Sequence, residues 1–250
     1  MRIEKPRDIG ALRRLWQEAF GDEDAFLDTF FATAFSPERC RCAVEGDSLL
    51  GALYWFDVYV QEQKYAYIYA VATAVHSRGK GVCHELMAQT HRDLLDMGYS
   101  GSILVPETQK LRQFYAGMGY ITATAVNEQT MEASNLPVTV ERLTAEGYGA
   151  LRHQLLPEGA VVQEGENLAF LQAQYQLYGG ENWAMVAYPL PDKLFVMEYL
   201  GDPGLCPGIL GALGFHKGIF RMPGQQTEFA MYLPFGAQSK RPTYFGLAFD

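Results

Sequence analysis

The stretch Val71-Ala-Thr-Ala-Val-His-Ser-Arg-Gly-Lys-Gly-Val-Cys-His-Glu-Leu-Met87 constrains the fold more than any other, because an apolar strand runs through a glycine-containing basic loop directly into a helix. A helix that opens this way leaves backbone N–H groups without acceptors, and its dipole adds partial positive charge at the same end. Gly79 and Gly81 let the backbone approach a ligand, and Arg78 and Lys80 add full charges, so the segment predicts an anion site suited to phosphate. That charge is local. The whole chain has 20 Lys and Arg against 29 Asp and Glu, a net charge of −9, so a solvated basic run is a poor account of it. Two nucleotide loops fail residue by residue. A Walker loop needs glycine where Ala74 stands and Ser or Thr where Gly81 stands. A dinucleotide fingerprint starting at Gly79 needs a third glycine where His84 stands.

Around this segment the hydrophobic periods alternate. Ile9, Leu12, Trp16 and Phe20 recur at helical spacing behind Asp8, a capping residue, and Phe26, Phe30 and Phe31 suggest a second helix. Cys40 to Glu45, Leu49 to Val60 and Tyr65 to Thr73 read as an antiparallel meander. A helix from Gly81 ends near Gly98; Ser102 to Val105 is a short strand, Thr108 to Met118 a helix, and Tyr120 to Val126 resumes strand character. This order predicts an α/β (α+β) sheet with helices on its faces over residues 1–126. Residues 127–137 are polar and turn-rich and read as a connector. Residues 138–250 read as a second, smaller mixed α/β domain. Within it, Val138 to Leu143, Trp183 to Tyr188 and Leu194 to Leu200 are expected as strands, and Glu146 to Leu155 and Leu168 to Tyr178 as helices. Leu194 to Leu200, a short helical stretch and Leu213-Gly-Phe215 repeat, at an offset of 95 residues, the strand, helix and Met118-Gly-Tyr120 of the first half, which raises duplication as a hypothesis.

Several classes of function drop out. Acidic charge repels a phosphate backbone, which argues against nucleic acid as a partner. No apolar run approaches the ~20 residues that span a bilayer, and Met1-Arg-Ile-Glu-Lys-Pro-Arg lacks a secretory apolar stretch, so a cytoplasmic protein without membrane attachment is expected. Four cysteines are too few for a disulfide scaffold, and Cys40 and Cys42 lack the second pair that zinc spacing requires. His84 and His91, two helical turns apart, are too distant to share a metal, so none is expected.

Arg78-Gly-Lys-Gly81-Val82-Cys83 resembles the acyl-CoA loop of the GNAT acetyltransferase superfamily, Gln/Arg-x-x-Gly-x-Gly/Ala, with Cys83 in the place of the last small residue. Downstream, Thr108-Gln-Lys-Leu-Arg-Gln-Phe114-Tyr115-Ala-Gly-Met-Gly119-Tyr120 is similar to that superfamily's Asn-x-x-Ala-x-x-Phe-Tyr-x-x-x-Gly-Phe, with Thr108 replacing asparagine. Both motifs fall in register within residues 1–126. The resemblance implies a mixed, largely antiparallel sheet flanked by helices, with a degenerate copy of it as one reading of the second half. It implies acetyl-CoA as co-substrate, with the pyrophosphate on residues 78–83, the pantetheine arm along Val71, Ala72 and Thr73, and a contact from Thr108. It also implies an amine acceptor, either a small molecule or a lysine, and Tyr115 as the acid that protonates the departing CoA thiolate. On the strand itself, Tyr65, Tyr67, Tyr69, Val71 and Thr73 are expected on one face, leading to the thioester. That strand holds no carboxylate, so the base must be Asp57, Glu107, Glu198, a water chain or a terminus. The Ala-Thr before the loop, the second mixed domain and the aromatic tail resemble the enhanced-intracellular-survival branch, whose C-terminal carboxylate serves as base, which points to Asp250. A catalytically silent CoA-binding or protein-interaction module is the alternative; it would bind CoA without releasing thiol.

Overall fold

The computed structural model describes residues 1–249. In the first half, β1 is Arg2–Glu4, α1 Ile9–Phe20, α2 Asp24–Thr33, β2 Cys40–Glu45, β3 Ser48–Val60, β4 Gln63–Thr73, α3 Val82–Asp96, β5 Gly101–Leu104, α4 Gln109–Ala116, β6 Ile121–Thr122 and β7 Ala125–Glu132. In the second, β8 is Glu141–Arg142, α5 Ala145–Leu155, β9 Val162–Gln163, α6 Glu166–Gln174, β10 Gln176–Gly180, β11 Trp183–Leu190, β12 Lys193–Leu200, α7 Cys206–Leu213, β13 Lys217–Pro223, β14 Thr227–Glu228 and β15 Met231–Pro234. Capping explains the cleanest boundaries. The Asp8 carboxylate accepts from the Ala11 N–H at 3.1 Å to start α1, and left-handed Gly21 (φ +77°) ends it.

Two sheets share one plan. The first runs β1-β2-β3-β4-β5-β15-β6, with β9 also pairing with β3; the second, read from β8, runs β8-β10-β11-β12-β13-β7-β14. In each, two helices precede a three-strand antiparallel meander, after which one helix crosses to a parallel neighbour: α3 from β4 to β5, and α7 from β12 to β13. The next place in each sheet is filled from the other half. β15 pairs antiparallel with both β5 and β6, and β7 lies beside β13 and β14. The halves therefore exchange one strand. The repeat is real in topology but differs in register from the sequence echo, since β12-α7-β13 corresponds to β4-α3-β5 and not to β5-α4.

The exchange explains where the sequence misled. Residues 127–137, expected as a connector, begin with most of β7, which pairs from Val126 to Glu132 with Pro223 to Lys217. Glu128, Gln129 and Thr130 are exposed, so this paired strand reads as polar. The strand expected over Tyr120 to Val126 is two pieces on different sheets. The helix expected over Leu168 to Tyr178 stops at Gln174, where the Tyr175 N–H still bonds Leu171 O and no glycine or proline marks the switch to β10.

The largest core joins both halves. It packs Trp16 and Phe30 from α1 and α2, Phe56 and Tyr67 from β3 and β4, Phe170 from α6, and the tail residues Phe245, Leu247 and Phe249. Each fully buried Leu or Phe contributes roughly 1.5–3 kcal/mol relative to exposure. A second core lies between α3 and the other face of the first sheet, and a third underlies α7. In the second half, the Arg152 guanidinium and Glu198 form a fully buried bidentate pair at 2.6 and 3.1 Å, joined by the Tyr148 hydroxyl at 2.9 Å. His91, on α3, is half-buried. Its Nε2 lies 2.9 Å from the buried Tyr120 hydroxyl, and burial lowers its pKa to about 4.

Candidate active site

After β4 the chain makes one 3₁₀ turn, Val75–Ser77, and reaches Gly79 (φ +74°) and Gly81 (φ +79°). Both are left-handed, a conformation that costs other residues about 1–2 kcal/mol. A Cβ at either would meet no protein atom within 4 Å, so the glycines leave open space in front of the loop. Gly81 caps α3 without any side-chain hydrogen bond, and the first helical bond is from the Glu85 N–H to Gly81 O. The amides of Val82, Cys83 and His84 thus precede the first helical acceptor and point to the end where the dipole is positive. Arg78 and Lys80 are exposed beside them, with Arg78 Nε donating to Thr73 O at 3.1 Å. The arrangement suits an anion and is built from backbone. The matching connection in the second half lacks it: there the Asp202 carboxylate takes up the Gly204 N–H at 2.9 Å, and Pro207 stands in the first turn of α7.

One end of β4 separates from β5. The two pair only from Tyr65 to Tyr67 against Gly101 to Ile103. Beyond that, the register against β3 shifts between Ala52/Ala72 and Tyr54/Tyr69, placing Ala70 and Val71 opposite the single residue Leu53, and Ala70 takes φ +47°. Such a bulge bends the strand and reverses which side later residues face. Tyr65, Tyr67 and Tyr69 therefore face the large core, whereas Val71 packs toward α3, and Ala72 returns to the large core. The single face expected for Tyr65 through Thr73 is broken at this point. No glycine announces the bulge in the sequence.

The separation opens a cleft of about 730 Å³. Tyr67 to Val71 and Leu104 to Glu107 form its two strand walls, and Tyr115 stands on α4 beside it. Thr108 caps α4, its hydroxyl accepting from the Leu111 N–H at 3.2 Å, so this side chain already serves the helix. Tyr115 is 8% exposed, with its ring 5.8 Å from that of Tyr120. Burial, reinforced by the nearby Cys83, raises its pKa well above the ordinary tyrosine value. At neutral pH it is a protonated phenol. Burial likewise pushes the Cys83 thiol up to about 11, so it stays neutral.

Much of the far wall comes from regions the sequence did not connect to the site. Asp22 accepts from Trp16 Nε1 at 2.7 Å, Glu128 pairs with Arg221 at 2.9 Å, and Glu228 pairs with Arg112 at 3.4 Å; all three carboxylates line the cleft, as does Glu107. Glu128 arrives on β7 opposite Arg221 of β13, and Glu228 on β14 opposite Ala125 of β7, positions that no local pattern could have set. Two base candidates are removed. Glu198 is locked to Arg152, and Asp57 accepts from Tyr99 and holds Lys64 Nζ at 2.9 Å, away from the cleft. Asp250 falls outside the described residues. The segment before it reaches the cleft: Phe249 lines it, packs 4.8 Å from Phe56 and 5.3 Å from Phe170 between ring centroids, and donates its N–H to the Tyr67 hydroxyl at 3.1 Å. Among the described residues no cluster of three or more His, Cys, Asp or Glu is arranged to hold a metal, and no helix is long and apolar enough to cross a membrane.

Residues 1–123 match the acetyltransferase (GNAT) domain family. No protein of curated function matches the sequence. Among solved structures, the chain superposes on a GCN5-related N-acetyltransferase from Kribbella flavida with a TM-score of 0.73 at 18% identity, over 95% of this chain and 72% of that one. A GCN5-related N-acetyltransferase from Anabaena variabilis gives 0.69 at 15% identity, over 92% and 72%. Eis1 from Mycobacterium abscessus gives 0.65 at 12% identity, over 90% and 67%. At these identities the superpositions speak for the fold, and they extend through both sheets.

Proposed function

We propose, from the match of residues 1–123 to the acetyltransferase (GNAT) domain family, that the protein moves an acetyl group from acetyl-CoA to a primary amine. The observation that carries this reading is the free end of β4, which lines one cleft together with the protonated Tyr115 and continues through Thr73 into the glycine-opened start of α3, where no side chain caps the helix. In this reading the backbone from Arg78 to Cys83 takes the pyrophosphate, and Val71, Ala72 and Thr73 pair with the pantetheine arm as an added strand. Thr108 contributes through its cap of α4, in place of a direct contact. The CoA chemistry resides in residues 1–126, while the second half, from 138 onward, supplies part of the acceptor wall.

The acceptor nitrogen attacks the thioester carbonyl carbon, forming the C–N bond, and the charge that builds on the oxygen is met by strand N–H groups. The C–S bond then breaks. Tyr115 gives its proton to the departing sulfur, and a carboxylate takes the proton from nitrogen. Asp250 is assigned as that carboxylate because Phe249 brings the chain to the cleft; Glu107 is the second candidate. Glu128 and Glu228 are offset by Arg221 and Arg112, but Asp22 and Glu107 leave the opening with an excess of negative charge that favours a cationic amine over an anionic acceptor.

Thiol detection during a screen of cationic amines with acetyl-CoA tests this reading, with Tyr115→Phe as comparison. Thiol release that depends on both the amine and Tyr115 supports it. Acetyl-CoA binding without amine-dependent release would instead assign a silent CoA-binding module.

A further inference from the structure

Tyr67 lies mid-strand on β4, 3% exposed, and its position is shared by two functions of the fold. Its ring lines the cleft in the direction of Tyr69 and the bulge, while its hydroxyl accepts the N–H of Phe249 at 3.1 Å. Phe249 itself forms cleft wall and is enclosed by aromatic rings: Phe56, Phe170, Tyr67 at 5.8 Å and Tyr69 at 6.0 Å. Phe245 packs edge-on against Tyr67 at 5.0 Å, so this one side chain holds the tail at two points. Further back, Gln163 Nε2 donates to Leu247 O at 3.1 Å. The segment 245–249 makes no strand with either sheet. Its seat depends on these few directed contacts together with apolar burial, which has no directional preference.

Resting on the acyltransfer reading above, we propose that Tyr67 is a positioning residue that seats the tail, through Phe249, as the acceptor-side wall of the cleft. The Phe ring alone could slide within an aromatic enclosure; the hydrogen bond to its backbone sets the register of the tail along β4. A neutral hydrogen bond of this kind fits an effect of about tenfold, well short of the loss caused by removing the acid itself.

Tyr67→Phe keeps the ring and removes only the hydroxyl, so the fold should survive. Hydrogen exchange at the Phe249 amide should then speed up by roughly tenfold, with acetyl-CoA affinity unchanged. Thiol release with spermidine as the amine should show kcat lowered about tenfold and an altered pH profile, because a shifted Phe249 wall changes the surroundings in which the acceptor amine loses its proton. Unchanged exchange at Phe249 would overturn the proposal, as would full turnover and an unshifted pH profile in Tyr67→Phe while Tyr115→Phe is impaired. Absence of spermidine-dependent release from the unsubstituted protein would count against the acyltransfer reading for that amine, and the exchange measurement would still decide whether Tyr67 seats the tail.

Discussion

Substituting Gly81 by Ala separates the two roles of a left-handed glycine, because the structure contains a matched control at the other end of the same helix. Gly81 at the start of α3 has φ +79° and Gly98 beyond its end has φ +83°, and an added Cβ would meet nothing within 4 Å at either. Backbone strain should therefore be nearly equal at the two sites, about 1 kcal/mol each, which lowers Tm by about 2–4 °C in a chain of this size. Only at Gly81 does the new methyl enter the space faced by the free amides of Val82, Cys83 and His84. Losing one amide bond to a charged phosphate oxygen costs about 1.5–3 kcal/mol, so acetyl-CoA should bind at least about tenfold more weakly to Gly81→Ala. Gly98→Ala should bind as the parent does. Calorimetric titration with acetyl-CoA beside thermal melts gives both quantities for both variants. Equal melts with equal affinities would refute the loop as the pyrophosphate site.

Tyr115→Phe should retain acetyl-CoA affinity and lower kcat about 10²-fold, measured by thiol release under saturating amine. Because burial holds His91 neutral with a pKa of about 4, against 6.5 for an ordinary histidine, its contribution to stability is complete above pH 6.5. That contribution fades as pH falls toward 4, where the unfolded chain binds the proton first. It amounts to roughly 3 kcal/mol, and melts of His91→Gln should be correspondingly less sensitive to acid than those of the parent. Glu198→Gln leaves Arg152 charged, buried and half-partnered, and should destabilise by about 3–5 kcal/mol while acetyl-CoA titrations stay unchanged. Deleting residues 246–250 removes the burial of Leu247 and Phe249, and should cost roughly 3–6 kcal/mol in denaturant melts besides lowering turnover.

The elements of the first half were legible where the deciding interactions are local. Asp8 before an amphipathic run marks α1, the change of period at Gly81 marks α3, and strand, basic glycine loop and helix appear in the sequence in the order in which they form the candidate anion site. What could not be read depends on distant partners. β7 is polar because its exposed residues are chosen for a position beside β13, and β15 is too short to be recognised apart from its neighbours β5 and β6. The Ala70 bulge is imposed by the β3–β4 register on a residue that carries no turn signal. The acidic far wall follows from the same cause, since Glu128 and Glu228 reach the cleft only after the halves exchange strands.

That exchange also governs how the molecule must acquire its structure. β5 and β6 are separated in the first sheet by β15, which is synthesised more than a hundred residues after β6, so a ribosome that has made the first half has not yet made a closed sheet. Until β15 arrives, β5 presents an open edge with Ile103 and Leu104, the kind of surface that pairs with other chains. Closing so long a loop adds entropy cost only logarithmically with its length, but it makes native contacts strongly non-local, a topology associated with slow folding. Neither half can complete its sheet without the other, and the two should melt in a single transition. A nascent chain is most exposed to aggregation in the interval before its last strand is inserted.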